Sequence, residues 1–110
     1  MDRKTLIEKL KYREELWNEP GGGEWGTEEC WDAFIRIALE DWDGFCTFLT
    51  EEATASEMVY LSEVIFELVE NIGKEKVLAP FKKVSEKYPV EAEKYNILRD
   101  ISCIESDNYR

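Results

Sequence analysis

Residues 54–73 read TASEMVYLSEVIFELVENIG and predict the longest helix of the chain. Apolar side chains recur there at spacings of three and four residues, which is the period of an amphipathic helix. The predicted core stripe consists of Met58, Leu61, Ile65, Leu68 and Ile72. Thr54 or Ser56 can cap the start of this helix, and Gly73 suits the left-handed position after its end. The stretch therefore predicts one continuous helix.

The same period runs through the rest of the chain, and strict alternation over strand lengths is rare. We predict an all-α fold of about six helices, because no other period competes with the helical one. The other predicted helices cover residues 2–18, 27–40, 43–51, 74–88 and 90–105. Pro80 must either kink its helix or delay its start. Short connections favour stacked antiparallel hairpins or an irregular helical bundle.

A chain of 110 residues with 44% hydrophobic content has the size of a single domain with one core. We predict a flexible glycine-rich joint at residues 20–26 and a frayed tail at residues 106–110. The three cysteines are predicted to be buried free thiols: Cys30, Cys46 and Cys103. The sequence lacks the run of about 18–20 apolar residues that spans a bilayer, and its start is charged. These features predict a cytoplasmic protein that does not enter membranes.

The net charge of −11 is concentrated in one segment. Residues 1–23 hold five acids and five bases, and residues 71–110 hold seven acids and eight bases. Residues 24–70, termed the acidic segment, hold 13 acids and a single base, Arg36. Such a segment repels phosphates, so nucleic acid is disfavoured as a partner and a basic protein is favoured.

Aromatic side chains stand among these acids, which is typical of an electrostatically steered interface. In one continuous helix Tyr60, Glu63, Glu67 and Glu70 share the face opposite the core stripe, and no neighbouring base in the sequence relieves the repulsion between Glu63 and Glu67. The candidate partner-binding residues are these four together with Glu40, Asp41, Trp42, Asp43, Glu51, Glu52 and Glu57. We expect charge reversal at Glu63 and Glu67 to weaken binding and to leave folding intact. A merely solvated face is the alternative interpretation of the stripe.

No catalytic or metal site can be recognised in the sequence. The chain has no histidine, which removes histidine bases and imidazole metal ligands. Its cysteines form no Cys-x-x-Cys pair, and the glycines at 21–23 lack the Lys-Ser/Thr of a phosphate loop. Paired carboxylates need a substrate cleft for acid–base work, and so short a chain has few residues to spare for one. We expect a protein that is not an enzyme and that uses no cofactor or metal.

Several short motifs between Trp31 and Ile104 resemble those of a known class of protein. They are Trp31-Asp32 early in a predicted helix, Phe48-Leu49 before an acidic turn, Leu61-Ser62-Glu63-Val64 followed by Glu67, and Lys87-Tyr88-Pro89 before the last predicted helix. Together they resemble small helical immunity proteins of bacterial polymorphic toxin systems, including contact-dependent growth inhibition. The resemblance implies a cytoplasmic protein that binds a cognate toxin domain in a one-to-one complex and blocks its active site or its access to substrate.

Two alternatives remain beside this interpretation. One is an acidic helical adaptor or DNA-mimic regulator of a nucleic-acid-binding protein, in which carboxylates take the place of phosphates. The other is a structural module of a helical assembly. A basic, nuclease-type toxin fits the charge of the acidic segment best, because a nuclease carries positive charge for its own substrate.

Overall fold

The computed structural model describes residues 1–20 and 24–106, and every regular element in this part of the chain is helical. The α-helices are α1 Arg3–Trp17, α2 Glu24–Glu40, α3 Trp42–Thr47, α4 Ala55–Ser62, α5 Ile65–Ile72, α6 Lys74–Lys87, α7 Pro89–Lys94 and α8 Ile97–Glu105. A π-helical turn, Phe48–Glu52, follows α3 directly. The all-α prediction is confirmed. The described residues form eight α-helices rather than about six, because two predicted helices are each divided in two.

The predicted long helix is one of the two that are divided, so the prediction of a continuous helix was wrong. Its start is as predicted, because the Thr54 hydroxyl accepts from the Glu57 amide and the Glu57 carboxylate accepts from the Thr54 amide. At its middle, the amides of Glu63 and Val64 donate to carbonyls only three residues earlier, at 3.2 and 3.3 Å. The Ser62 hydroxyl also donates to the Val59 carbonyl at 2.6 Å, and such bonds bend helices. The break separates the two halves of the predicted acidic stripe.

Asn96 divides the predicted last helix into α7 and α8. Its φ of 64° lies in the left-handed region, which asparagine tolerates better than most residues. Pro89 begins α7, where its missing amide costs nothing. Pro80, in contrast, lies buried inside α6, so that helix does not begin at the proline.

Two helix starts also differ from the prediction. α2 begins at Glu24, so Thr27 is an internal residue rather than a cap. α3 begins after Asp41, whose side chain accepts from the Gly44 amide at 3.1 Å. Of the predicted joint, residues 21–23 lie outside the described residues, and residues 24–26 are the start of α2. Residues 107–110 of the predicted tail also lie outside the described residues.

The core lies where α1, α2 and the later helices meet. Its largest fully buried side chains include four phenylalanines: Phe34, Phe45, Phe48 and Phe81. Four members of the predicted core stripe are buried, and Ile72 is partly exposed. All three cysteines are free thiols as predicted, but only Cys30 is fully buried. Among the described residues, no helix is both long and apolar enough to cross a membrane.

Candidate partner-binding surface

Helix α1 supplies bases to the acidic segment. Three of its bases form ion pairs with acids of that segment: Arg3 with Glu52, Lys9 with Glu29 (3.4 Å) and Arg13 with Glu63 (2.7 Å). The amino group of Met1, just before α1, pairs with Asp41 (3.0 Å). Each of the four acids belongs to residues 24–70. Charge counting along the chain does not predict these pairs, because residues 1–23 are neutral in total. Part of the negative charge is therefore compensated inside the molecule.

The pair of Arg13 and Glu63 is the most enclosed of these contacts. Arg13 Nε donates to Glu63 Oε1 at 2.8 Å and its Nη2 donates to Oε2 at 2.7 Å, while the Trp31 indole donates to Oε1 at 3.1 Å. The Arg13 side chain is only 7% exposed and that of Glu63 is 20% exposed. The hydrogen bonds to Glu63 raise the pKa of Arg13 against the opposing effect of burial. The guanidinium is thus held as a charged, buried group.

This geometry gives Glu63 a structural role that the sequence does not predict, while its binding role stays a prediction. The sequence places no base near Glu63 and Glu67, but the fold brings Arg13 to Glu63 from α1. Glu63 therefore joins helices together and does not stand in an open stripe with Glu67. Charge reversal at Glu63 should now disturb the fold itself, because a second cation would face Arg13 in a largely buried site.

The predicted binding residues occupy three kinds of environment. The exposed ones are Glu40, Asp43, Glu51, Glu52, Glu67 and Glu70. Asp41, Trp42, Glu57 and Glu63 are partly exposed, and Tyr60 is buried. Trp42 stacks on Phe45 with ring centroids 5.5 Å apart, which ties it to the core. The binding role of these residues stays a prediction, but Tyr60 does not project from the surface as the continuous helix required.

Tyr60 instead lines two pockets, one between α1, α4 and α7 and one between α1 and α4. The aromatic pocket has a volume of about 280 Å³ and is lined by Trp17, Ala55, Ser56, Val59, Tyr60, Val90, Glu91, Lys94 and Tyr95. The acidic pocket has a volume of about 270 Å³ and is lined by Ile7, Leu10, Lys11, Glu14, Thr54, Glu57 and Tyr60. We refer to the two together as the Tyr60 groove.

Three aromatic rings from distant parts of the chain meet in the aromatic pocket. The Trp17 ring centroid lies 5.8 Å from that of Tyr60 and 5.7 Å from that of Tyr95. The Arg13 guanidinium carbon lies 5.2 Å from the Trp17 ring centroid and 5.6 Å from the Tyr60 ring centroid, within the range of cation–π attraction. Trp17 nevertheless stays 42% exposed and Val90 69% exposed. The groove therefore presents apolar surface to solvent.

Sequence reasoning missed most of this groove, because it looked for binding residues inside the acidic segment. Trp17 lies in α1, and Val90 and Tyr95 lie in the nearly neutral end of the chain. Glu14 lies in α1 and lines the acidic pocket. Burial raises the pKa of Tyr60, and the negative charge of Glu14 adds to the shift.

Comparison with known proteins adds no family to this description. No protein-family model, curated protein or solved structure matches the chain. Among the described residues, no group of three or more cysteine, aspartate or glutamate side chains is placed to hold a metal ion. The surface offers carboxylates, aromatic edges and a groove, which are the materials of protein recognition.

Proposed function

We propose that this protein is an immunity protein that binds and neutralises a basic, nuclease-type bacterial toxin domain through its acidic segment. The observation that carries the proposal is the exposure of Asp43, Glu51, Glu67 and Glu70 in a segment with a single base. Internal pairs with α1 compensate other acids of the segment, but these four side chains face solvent. A partner with positive charge would find its complement there.

The physical advantage of such a surface is kinetic as well as energetic. A nuclease concentrates positive charge where it binds phosphates, and an acidic protein is drawn to that region at a rate that falls as salt rises. Once bound, it blocks the active site of the toxin or its access to substrate. The exposed acids provide steering, and apolar groups such as those of the Tyr60 groove provide desolvated contact area.

The test begins with the reading frame immediately upstream of the gene. The C-terminal domain encoded by that upstream frame is expressed in cells with and without this protein. The two purified proteins are then mixed and examined by size-exclusion chromatography with light scattering. We expect toxicity that this protein relieves, a one-to-one complex, and binding that weakens with salt. A harmless upstream domain that does not bind counts against the proposal. Displacement by duplex DNA, with binding to several unrelated DNA-binding proteins, favours a DNA-mimic regulator instead.

A matched pair of double variants locates the interaction. Glu67→Lys with Glu70→Lys changes the charge of α5, and Glu75→Lys with Glu86→Lys makes the same change on exposed positions of α6. Glu67 and Glu75 both lie in the first turn of their helices, so the helix-dipole effect is also matched. The α5 variant should lose most of the protection and the α6 variant should keep it. Equal losses in both would show that net charge, and not this surface, governs binding.

A further inference from the structure

We infer that the Tyr60 groove receives an arginine side chain of the partner in its acidic pocket and a neighbouring apolar side chain in its aromatic pocket. This inference rests on the proposed function for the identity of the partner as a basic protein. It adds a second contact region, because most of the groove comes from α1 and α7 rather than from the acidic segment.

The acidic pocket has the two surfaces that an arginine needs. Ile7 and Leu10 give it an apolar wall, and the carboxylates of Glu14 and Glu57 belong to its lining. An arginine side chain has a flexible alkyl stem that packs on apolar surface and a planar head with five donors. A carboxylate suits that head better than the ammonium of lysine, because the planar fork can form two parallel bonds to its two oxygens.

Glu57 can accept from a partner without giving up its role in the fold. Its Oε1 accepts from the Thr54 amide at 2.9 Å as part of the capping box. A carboxylate has about four acceptor sites on its two oxygens, so capacity remains for a guanidinium. Glu14 is exposed, and its charge acts on Tyr60 strongly enough to contribute to the raised pKa of that hydroxyl.

The aromatic pocket suits an apolar side chain of the same partner. Trp17 and Val90 remain largely exposed beside Tyr95, so covering them would remove apolar area from water. At about 280 Å³ and 270 Å³, each pocket has room for one large side chain. Because both pockets share Tyr60, they suit residues that are close together in the partner.

One residue of the acidic pocket opposes the proposed ligand. Lys11 lines the same pocket, and its ammonium repels a guanidinium there. Two carboxylates against one ammonium still leave the pocket with an excess of negative charge. Removal of the Lys11 charge should thus strengthen binding, whereas removal of either carboxylate should weaken it. A nonspecific charge effect has the same signs, so Glu86→Gln, at an exposed position of α6, is the control and should leave the affinity unchanged.

The experiment titrates the intact, isotope-labelled chain with three tripeptides and follows backbone and indole resonances by NMR. The probes are Ac-Leu-Arg-Leu-NH2, its Gln analogue and its Glu analogue, so that an apolar residue flanks the central position on both sides. We expect the Arg peptide to shift the resonances of Trp17, Glu57, Tyr60 and Tyr95. Its affinity should exceed that of the Gln peptide by about two- to fivefold, because an exposed ion pair contributes about that much to binding. Equal affinities, or shifts confined to α3 and α5, would overturn the inference.

Variants make the test specific to the two carboxylates. Glu14→Gln and Glu57→Gln should each lower the affinity for the Arg peptide by about two- to fivefold, and Lys11→Gln should raise that affinity by a similar factor. Glutamine also serves in capping boxes, so Glu57→Gln should keep α4 intact, which its circular dichroism checks. Identical affinity in all three variants would refute the assignment of the pocket.

The failure of this inference and that of the proposed function can be told apart. If Glu14→Gln and Glu57→Gln do not change the affinity for the toxin, the Tyr60 groove is not a contact region, but the proposed immunity function stands. If the Arg peptide binds specifically but the upstream reading frame encodes no toxin, the Tyr60 groove stands as a binding site and the proposed immunity function is refuted.

Discussion

Arg13 in α1 donates two hydrogen bonds to Glu63, at the turn between α4 and α5 and 50 residues further along the chain. Trp31 in α2 donates to the same carboxylate. One side chain thereby holds three parts of the chain together. Glu63 accordingly has a structural role in addition to its predicted role in binding.

Loss of the Glu63 charge should destabilise the fold. In Glu63→Gln the Arg13 guanidinium stays buried without its counterion, so we expect the free energy of unfolding to fall by about 3 kcal/mol, the lower end for a broken buried pair. The lower end applies because the Glu63 side chain is 20% exposed. Urea unfolding followed by circular dichroism measures the loss. Glu40→Gln is the control, since it removes an exposed helix pair with Arg36 worth about 0.3–0.5 kcal/mol. Similar losses in both variants would contradict the structural role.

Charge reversal on α5 should separate stability from binding. Glu67→Lys with Glu70→Lys alters exposed side chains, so we expect a stability loss of about 1 kcal/mol or less, chiefly from the first-turn position of Glu67. Thermal unfolding gives the stability, and stopped-flow mixing with the upstream toxin domain gives the association rate. We expect that rate to fall strongly at low salt and only slightly at high salt. A salt-independent change would speak for a direct steric effect instead.

Gly26 should resist substitution although it lies inside a helix. A Cβ at this position would come within 2.4 Å of the Tyr12 hydroxyl and 2.7 Å of Leu16 Cδ1, both in α1. Gly26→Ala should therefore cost about 1–3 kcal/mol through overpacking, against the gain of up to about 1 kcal/mol that alanine normally brings to a helix. Denaturant unfolding checks the sign. Adding Tyr12→Phe should recover part of the loss, and an absence of recovery would place the strain at Leu16 or at the Tyr12 ring carbon Cζ, which would lie 2.8 Å away.

Gly73 should be required because of its backbone conformation and not because space for a side chain is lacking. Its φ of 117° joins α5 to α6, and a Cβ there would meet nothing within 4 Å. We expect Gly73→Ala to cost about 1–3 kcal/mol from strain, with no change of packing. With a ψ of 146° this backbone lies outside the left-handed helical region that asparagine tolerates, so Gly73→Asn should cost about as much as Gly73→Ala. Denaturant unfolding of both variants measures the costs, and a loss well below about 1 kcal/mol in both would contradict the backbone role.

The Cys46 thiol should react slowly near neutral pH. Burial raises its pKa from 9.0 to about 11, and the nearby charge of Asp43 adds to the shift. Since the thiolate is the nucleophile, alkylation by iodoacetamide at pH 8 should be roughly 100-fold slower than for a thiol with the ordinary pKa. The rate should rise about tenfold per pH unit until the pH approaches the pKa. Mass spectrometry of the Cys46 peptide gives the rate, and the urea-unfolded chain should lose the protection.

The sequence by itself determined the features that depend on neighbours along the chain. The period of the apolar side chains predicted the helical class, and four of the five core-stripe residues are buried. Thr54 or Ser56 was predicted as the cap, and Thr54 forms a full capping box with Glu57. The concentration of acids between residues 24 and 70 is likewise a property of the sequence. Each of these follows from residues within a few positions of one another.

Only the tertiary structure decided which side chains meet. The break between α4 and α5 follows from the short-range hydrogen bonds of Glu63 and Val64 and from the bond of the Ser62 hydroxyl to the Val59 carbonyl. The spacing of apolar residues does not predict these bonds. The bond between Arg13 and Glu63, and the meeting of Trp17, Tyr60 and Tyr95, depend on how α1 crosses the later helices. Periodicity tells which face of a helix is apolar, but it does not tell which other helix that face will cover. For that reason the acids were located correctly along the chain, whereas their partners and the groove beside them were found only in the folded molecule.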